Sequence, residues 1–275
     1  MIIDFHTHVF PDKIAAATVG ALERKGNTPA FSDGTVAGLV SQMKRSGVGI
    51  SVNLPVLTKP AQFDSILNFA RSINDFYRDA SADAPRIISF AGIHPDIEDC
   101  EEKLSLVKES GILGIKIHPD YQGTFIDDER YVRILAEAKR LGLITVTHAG
   151  LDGAYVGEPI KCTPTRVMRV LDKIGGYDRL VLAHMGANQL FSEVYDILAG
   201  EDIYFDTAYV LQFFSEYDFK KMAEKHGYGK ILFATDSPWR DLSVDTERIR
   251  SYFLSKADEN KIFYENAKKL LMLKD

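Results

Sequence analysis

Short apolar runs rich in β-branched residues alternate along the chain with longer stretches in which apolar positions recur every three or four residues. The short runs cover residues 1–5, 48–54 (VGISVNL), 87–93 (IISFAGI), 114–117 (GIKI), 143–147 (LITVT), 180–183 (LVLA), 203–205 (IYF) and 231–235 (ILFAT). Each has the length and composition of a strand. Helical spacing occupies 36–46, 63–82, 101–110, 128–141, 165–174, 189–198, 214–226, 246–255 and 260–273. Gly47, Gly111, Gly142 and Gly227 fall just past four of these stretches, where a left-handed cap favours glycine. Eight strands alternating with helices imply parallel βαβ units and predict an α/β fold of the (βα)8 TIM-barrel type, occupying residues 1–275 as one domain. No GxGxxG follows the first run, which argues against a dinucleotide-binding open sheet. Two long connections, 9–35 and 149–163, leave strand C-terminal ends. Barrel active sites lie at that face, so both are expected to cover substrate.

Composition narrows the class. The chain has 275 residues, 45% of them hydrophobic, and a formal net charge of −6. A chain of this size buries an ample core unaided, so a bound metal would serve chemistry rather than folding. No Lys/Arg block is present, which argues against nucleic acid or an anionic membrane as partner. Cys100 and Cys162 lack CxxC spacing and are expected to be reduced thiols. No secretory signal or membrane-length apolar run is evident, so the expected location is cytoplasmic.

The chemistry collects at strand ends. His6 and His8 close the first run as DFHTH; two residues apart on a strand, they share one side. His94, His118, His148 and His184 follow the third to sixth runs, and Asp236 follows the eighth. Six of the seven histidines therefore fall on one rim, and imidazoles with a carboxylate converging there suit a transition metal. His226 is the exception; at a helix end it reads as a cap interacting with the helix dipole. Lys116 shares its strand side with His118. Three readings are open for it: a carboxylated bridge between two ions, a contact to an anionic substrate, or a partner of Asp206 or Asp4. His118 and Trp239 are expected to contact substrate, and Tyr121, Tyr155, Tyr209 and Arg166 are further candidates. Asp206 reads as the support of a ligand histidine, and Asp4 as structural.

The order HxH, His, His, Asp, with the phrases GIKIHPDYQG, LITVTHAG, LVLAHMGAN and ILFATDSPW, resembles the amidohydrolase superfamily. The similarity is to its amidohydrolase-related (amidohydrolase 2) branch, which holds the aminocarboxymuconate semialdehyde decarboxylase-like enzymes. It runs from Asp4 to the final helix. The resemblance implies that His6, His8, His148 and Asp236 bind one divalent ion, with zinc the default and manganese or iron fitting the same set. It implies that His184 is the catalytic histidine or the support of a ligand, and that Asp236 binds the metal, holds the water as a base, or does both. A metal-dependent hydrolase is then expected, acting on a small amide, ester or lactone through a metal-activated water. The alternative is a non-oxidative decarboxylase of an unsaturated or aromatic acid. A third reading is a barrel that keeps the metal and binds a ligand without catalysis. The partner is a small molecule, with Lys116 hinting at an anionic one, and the resemblance leans toward a homodimer.

Overall fold

The computed structural model describes residues 1–79 and 84–274. Its strands are β1 (Ile3–Thr7), β2 (Ile50–Asn53), β3 (Arg86–Ser89, resuming as Ala91–Gly92), β4 (Gly114–Ile117), β5 (Ile144–Thr147), β6 (Leu180–Leu182), β7 (Tyr204–Asp206) and β8 (Ile231–Leu232). Every neighbouring pair is parallel and follows chain order. The ladder is broken at Phe90. There the side chain of Asn74 accepts from the Ser89 amide at 2.7 Å and donates to its carbonyl at 2.9 Å, replacing a strand partner. The circle closes between β8 and β1, where Phe5 N–H donates to Phe233 O and Asp236 N–H to His6 O, each at 2.9 Å. Asp4 reinforces the seam by accepting from the Thr235 amide and hydroxyl, at 3.0 and 2.6 Å. The fold is the expected (βα)8 barrel.

The helices are α1 (Asp12–Gly26), α2 (Val36–Ser46), α3 (Phe63–Tyr77), α4 (Cys100–Glu109), α5 (Glu129–Arg140), α6 (Pro164–Ile174), α7 (Phe191–Glu193), α8 (Glu216–His226), α9 (Leu242–Arg250), α10 (Lys256–Asn260) and α11 (Asn266–Leu271). The end of the second expected helix, at 80–82, lies outside the described residues. Two expectations are corrected. The connection 9–35 holds α1, whose only buried residues are Ala15 and Val19, so no apolar stripe announces it. The ninth helix starts at Leu242 rather than 246, because Asp241 caps it by accepting from the amides of Ser243 and Val244.

One apolar cluster joins Ile50, Val52, Phe90, Ile144, Val146 and Val181 across the strands and is closed by Ala267, Leu270 and Leu271 of α11. A second packs Ile115, Ile117, Leu182 and Phe205 against helical Leu39, Leu104, Ile134, Val170 and Phe219. On β4, Ile115 and Ile117 face the helices, so the alternation of a strand turns Lys116 to the opposite, interior side.

Candidate functional site

β1 and the residues after β8 build the first part of the site. His6 and His8 stand with ring centroids 5.0 Å apart. Asp236 Oδ1 lies 3.3 Å from His6 Nε2 and 3.1 Å from His8 Nε2. Asp236 (φ 72°) and His184 (φ 63°) both adopt the left-handed backbone region without being glycine. Such residues cost on the order of 1–3 kcal/mol and persist where surroundings hold them. The hold is visible: the Asp236 amide donates to His6 O, and the His184 amide to Asp206 Oδ1, both at 2.9 Å.

Hydrogen-bond partners assign the imidazole protons. His6 Nδ1 faces Asp206 Oδ2 at 2.8 Å and His8 Nδ1 faces Leu54 O at 2.8 Å, so each Nδ1 carries the proton and donates. Both Nε2 atoms then present lone pairs toward the same carboxylate oxygen of Asp236. Burial, followed by the charge of Lys116, holds His6 well below the ordinary histidine range, so the ring gains no second proton; Lys116 can donate to His6 Nε2, but no proton lies between His8 Nε2 and Asp236 Oδ1. Two imidazole lone pairs and a carboxylate oxygen facing one another call for a cation. This donor set fits a divalent transition ion, with His6, His8 and Asp236 as ligands. Lys116, buried to 1% exposure, places its ammonium 3.1 Å from His6 Nε2. Burial lowers that ammonium to about 8 and raises Asp206 to about 7, and in each case the charge of the other opposes the effect. Asp206, the expected support of a ligand histidine, holds both His6 and the His184 backbone.

The second part lies beyond His184. His184 Nδ1 donates to Ala208 O at 2.9 Å, and its Nε2 meets His148 Nδ1 at 2.9 Å. Burial lowers His184 to about 4 and holds His148 well below the ordinary range. His148 thus adjoins the His6, His8 and Asp236 group through the ring of His184, whose centroid is 5.5 Å from that of His6. The other nitrogen of His148 is buried on the far side of the ring, 3.9 Å from Asp120 Oδ2 and 4.0 Å from Asp152 Oδ2. His118 stacks on His148 with centroids 4.2 Å apart and planes 9° from parallel, and its Nε2 lies 3.3 Å from Asp152 Oδ2. The exits of β5 and β6 are clasped at Gly150 and Asn188, where amide-to-carbonyl contacts of 2.9 and 3.0 Å run in both directions.

The rim gathers several further candidates. Tyr121 meets the His118 ring edge-on at 4.6 Å and the Tyr155 ring at 5.3 Å. Lys25, at the end of α1, donates to Tyr155 Oη at 2.7 Å and sits 4.3 Å from the centre of the Tyr121 ring. The two long connections therefore meet over the barrel mouth. Tyr209, also left-handed (φ 67°), places its hydroxyl 3.4 Å from Thr28 Oγ1. Trp239 is half-buried, and its amide donates to Asp236 O at 2.9 Å. Arg166 is not part of this group; it pairs with Asp127 at 2.6 Å. His94 Nδ1 accepts from the Asp96 amide at 3.1 Å, a local turn. His226 departs from the expected charged cap. It is buried, stacked on Phe205 at 3.7 Å, and lowered to about 4 by burial, hence neutral.

Asp120, Asp152, Lys25 and Gln122 are the site neighbours that pattern reading passed over. Asp120 and Gln122 stand inside the phrase GIKIHPDYQG, and Asp152 follows His148 by four residues. Gln122 ties three loops together, donating to Leu57 O and Ile93 O while accepting from the His118 amide.

The amidohydrolase family model matches residues 3–273. A search of curated proteins returns no match. Among solved structures, 5-carboxyvanillate decarboxylase from Novosphingobium aromaticivorans, complexed with manganese and a nitrobenzoic acid, is 14% identical at TM-score 0.76; the alignment covers 99% of this chain and 96% of that one. A 2,6-dihydroxybenzoate decarboxylase from Rhizobium is 18% identical at TM-score 0.65, over 99% and 98% of the two chains. An uncharacterised TIM-barrel protein from Bordetella bronchiseptica is 15% identical at TM-score 0.77, over 98% of each. At such identities these likenesses carry the fold. Because the family model spans nearly the whole chain, the protein belongs to the amidohydrolase family, in its amidohydrolase 2 branch.

Proposed function

We propose that this protein is a metal-dependent non-oxidative decarboxylase of a small aromatic or unsaturated carboxylic acid. This displaces hydrolysis, the first expectation from sequence, to second place. The observation that carries the choice is that similar structures spanning the chain end to end include decarboxylases of hydroxylated benzoates. His6, His8 and Asp236 would hold the ion, with His148 as a fourth ligand through Nδ1. A Zn2+ or Mn2+ ion there supplies a Lewis acid that orients and polarises the substrate's oxygens.

The remaining work falls to the chain. Lys116, a fixed interior cation, offsets the negative charge of a bound carboxylate. Asp236 engages both histidines through Oδ1, and we assign Oδ2 to deliver a proton to the carbon that bears the carboxylate. The C–C bond to the carboxylate then breaks, its electron pair returns to the unsaturated system, and CO2 leaves. The balance is one proton taken up and one CO2 released, with no oxidant. We assign neutral His184 to pass a proton back from solvent to the acid group. We assign contact with the planar substrate to His118, Tyr121 and Trp239.

The test is CO2 release from hydroxybenzoates and unsaturated diacids by the Zn2+- and Mn2+-loaded chain, run in D2O. Expected is CO2 in equal amount to a product carrying one deuterium at the former carboxylate carbon. Turnover of lactones, esters or amides with no CO2 from any acid would return the protein to the hydrolase reading.

A further inference from the structure

The imidazole protons at this site leave two buried atoms unpaired. His184 donates from Nδ1 to Ala208 O, so its Nε2 carries a lone pair. The 2.9 Å contact with His148 Nδ1 is a hydrogen bond only if His148 holds its proton on Nδ1. The opposite atom, His148 Nε2, then also presents a lone pair, and it faces a carboxylate. His148 Nε2 and Asp120 Oδ2 are both buried, both without a partner, and 3.9 Å apart. Two acceptors cannot bond to each other, but one proton placed between them makes a charge-assisted pair.

We propose that Asp120 is a positioning residue for His148. When His148 ligates through Nδ1, its ring proton resides on Nε2 and is donated to Asp120 Oδ2. Closing the pair to hydrogen-bond length takes a movement of roughly 1 Å. Asp120 is the suitable carboxylate because Asp152 is already engaged, by His118 Nε2 on Oδ2 and by the Ala154 amide at 2.7 Å on Oδ1. The Asp120 carboxylate is anchored against the Lys161 amide, which leaves Oδ2 to turn toward the ring. His118, stacked flat on His148, keeps the ring from swinging out of this alignment. His118, His148 and Asp152 also bring ligand atoms within 4.8 Å of one another, but the stacked rings hold their nitrogen lone pairs in separate parallel planes, so neither ring can point directly at an ion lying between them. The inference rests on the metal reading above, but not on which reaction follows.

The experiment uses the full chain as Asp120→Ala and Asp120→Asn. Co2+ binding is followed by visible absorption, and affinity is measured by chelator competition. The Ala variant is expected to lose about 10- to 100-fold in affinity and to shift the Co2+ bands, as when a ligand histidine loses its carboxylate. The Asn variant retains an acceptor oxygen and should recover part of that loss. An Ala variant with wild-type affinity and spectrum overturns the inference while the metal reading stands. A wild-type chain that takes up no Co2+ overturns both. Ring 1H–15N spectra of the Zn2+-loaded wild-type chain decide independently of how the variants fold: a His148 Nε2–H proton shifted downfield and slow to exchange, as expected of a bond to a carboxylate, supports the proposal, and an Nε2–H proton that is unshifted and exchanges freely refutes it.

Discussion

Asp206→Asn isolates the support of His6 from the integrity of the barrel. Asp206 is fully buried, and its Oδ1 accepts two backbone amides, His184 at 2.9 Å and Ala208 at 3.1 Å. Its Oδ2 accepts His6 Nδ1–H at 2.8 Å. An alanine there would orphan three buried donors at about 1–3 kcal/mol each, a sum comparable to the roughly 5–15 kcal/mol stability of a whole domain. Asparagine is the sharper probe. Its single carbonyl oxygen must stay on the two fixed amides, so its NH2 takes the place of Oδ2. A donor then faces His6 Nδ1, and the imidazole must move its proton to Nε2, the atom aimed at Asp236 and Lys116. The variant keeps its main-chain hydrogen bonds and should fold, with a metal-free melting temperature below wild type because buried Lys116 loses a counter-charge. It should bind Zn2+ and Mn2+ about 10- to 100-fold more weakly, the usual effect of disturbing a ligand's support and equal to roughly 1.4–2.7 kcal/mol. Chelator competition measures the affinity, and melting with and without metal measures the linked stabilisation. A folded Asp206→Asn chain with wild-type metal affinity would refute the tautomer argument on which the ligand assignment stands.

Three further outcomes are expected. His184→Asn should fold, because asparagine tolerates the left-handed backbone at this position (φ 63°), yet turnover should fall by about 10²- to 10⁴-fold at unchanged metal content; near wild-type turnover would remove His184 from the chemistry. Gly150→Ala should cost at least about 3 kcal/mol, seen as a melting temperature lower by roughly 6–12 °C, because its Cβ would lie 2.1 Å from Asn188 N and 2.3 Å from Asn188 O at φ +86°; an unchanged melting temperature would contradict that crowding. His226 is lowered to about 4 by burial, so the unfolded chain binds the extra proton between its ordinary 6.5 and about 4. Its contribution is complete above pH 6.5 and is lost as pH falls through that window, by at most about 3 kcal/mol; His226→Phe should flatten the acid limb of stability against pH, and an identical limb would show that another group sets it.

Much of this arrangement is legible in the chain itself, for physical reasons. Strands and helices differ in apolar period, so eight alternations emerge without alignment, and a parallel barrel carries all its strand ends to one face. Hence His6, His8, His184 and Asp236 could be grouped before their distances were known. The reading failed where local pattern does not decide structure. α1 buries only Ala15 and Val19, so its alanines and its end charges, Asp12 and then Arg24 and Lys25, support a helix that no stripe marks. β3 is interrupted because Asn74, from a helix earlier in the chain, takes over the main-chain groups of Ser89. The charged reading of His226 failed because its neighbour is Phe205, which a helix end seen in isolation does not reveal. Asp120 and Asp152 escaped notice since their partners depend on loop trajectories rather than on spacing. His148 fits the expected set only through Nδ1; its second nitrogen belongs to surroundings no motif describes.

The clasp at Gly150 and Asn188 has a consequence for how this site tolerates change. It helps to fix the separation of two histidines, His148 and His184, that leave adjacent strands, and it does so mainly through main-chain atoms, with the Asn188 side chain adding a bond to Leu151 O at 2.8 Å. Side chains around the mouth, such as Tyr121 and Tyr155, can be exchanged without resetting that gauge. On the proposed reading, the rim side chains and the spacing of these two rings are therefore separable variables: libraries that vary the rim while keeping position 150 as glycine are expected to change substrate preference while leaving the His148–His184 spacing unaltered.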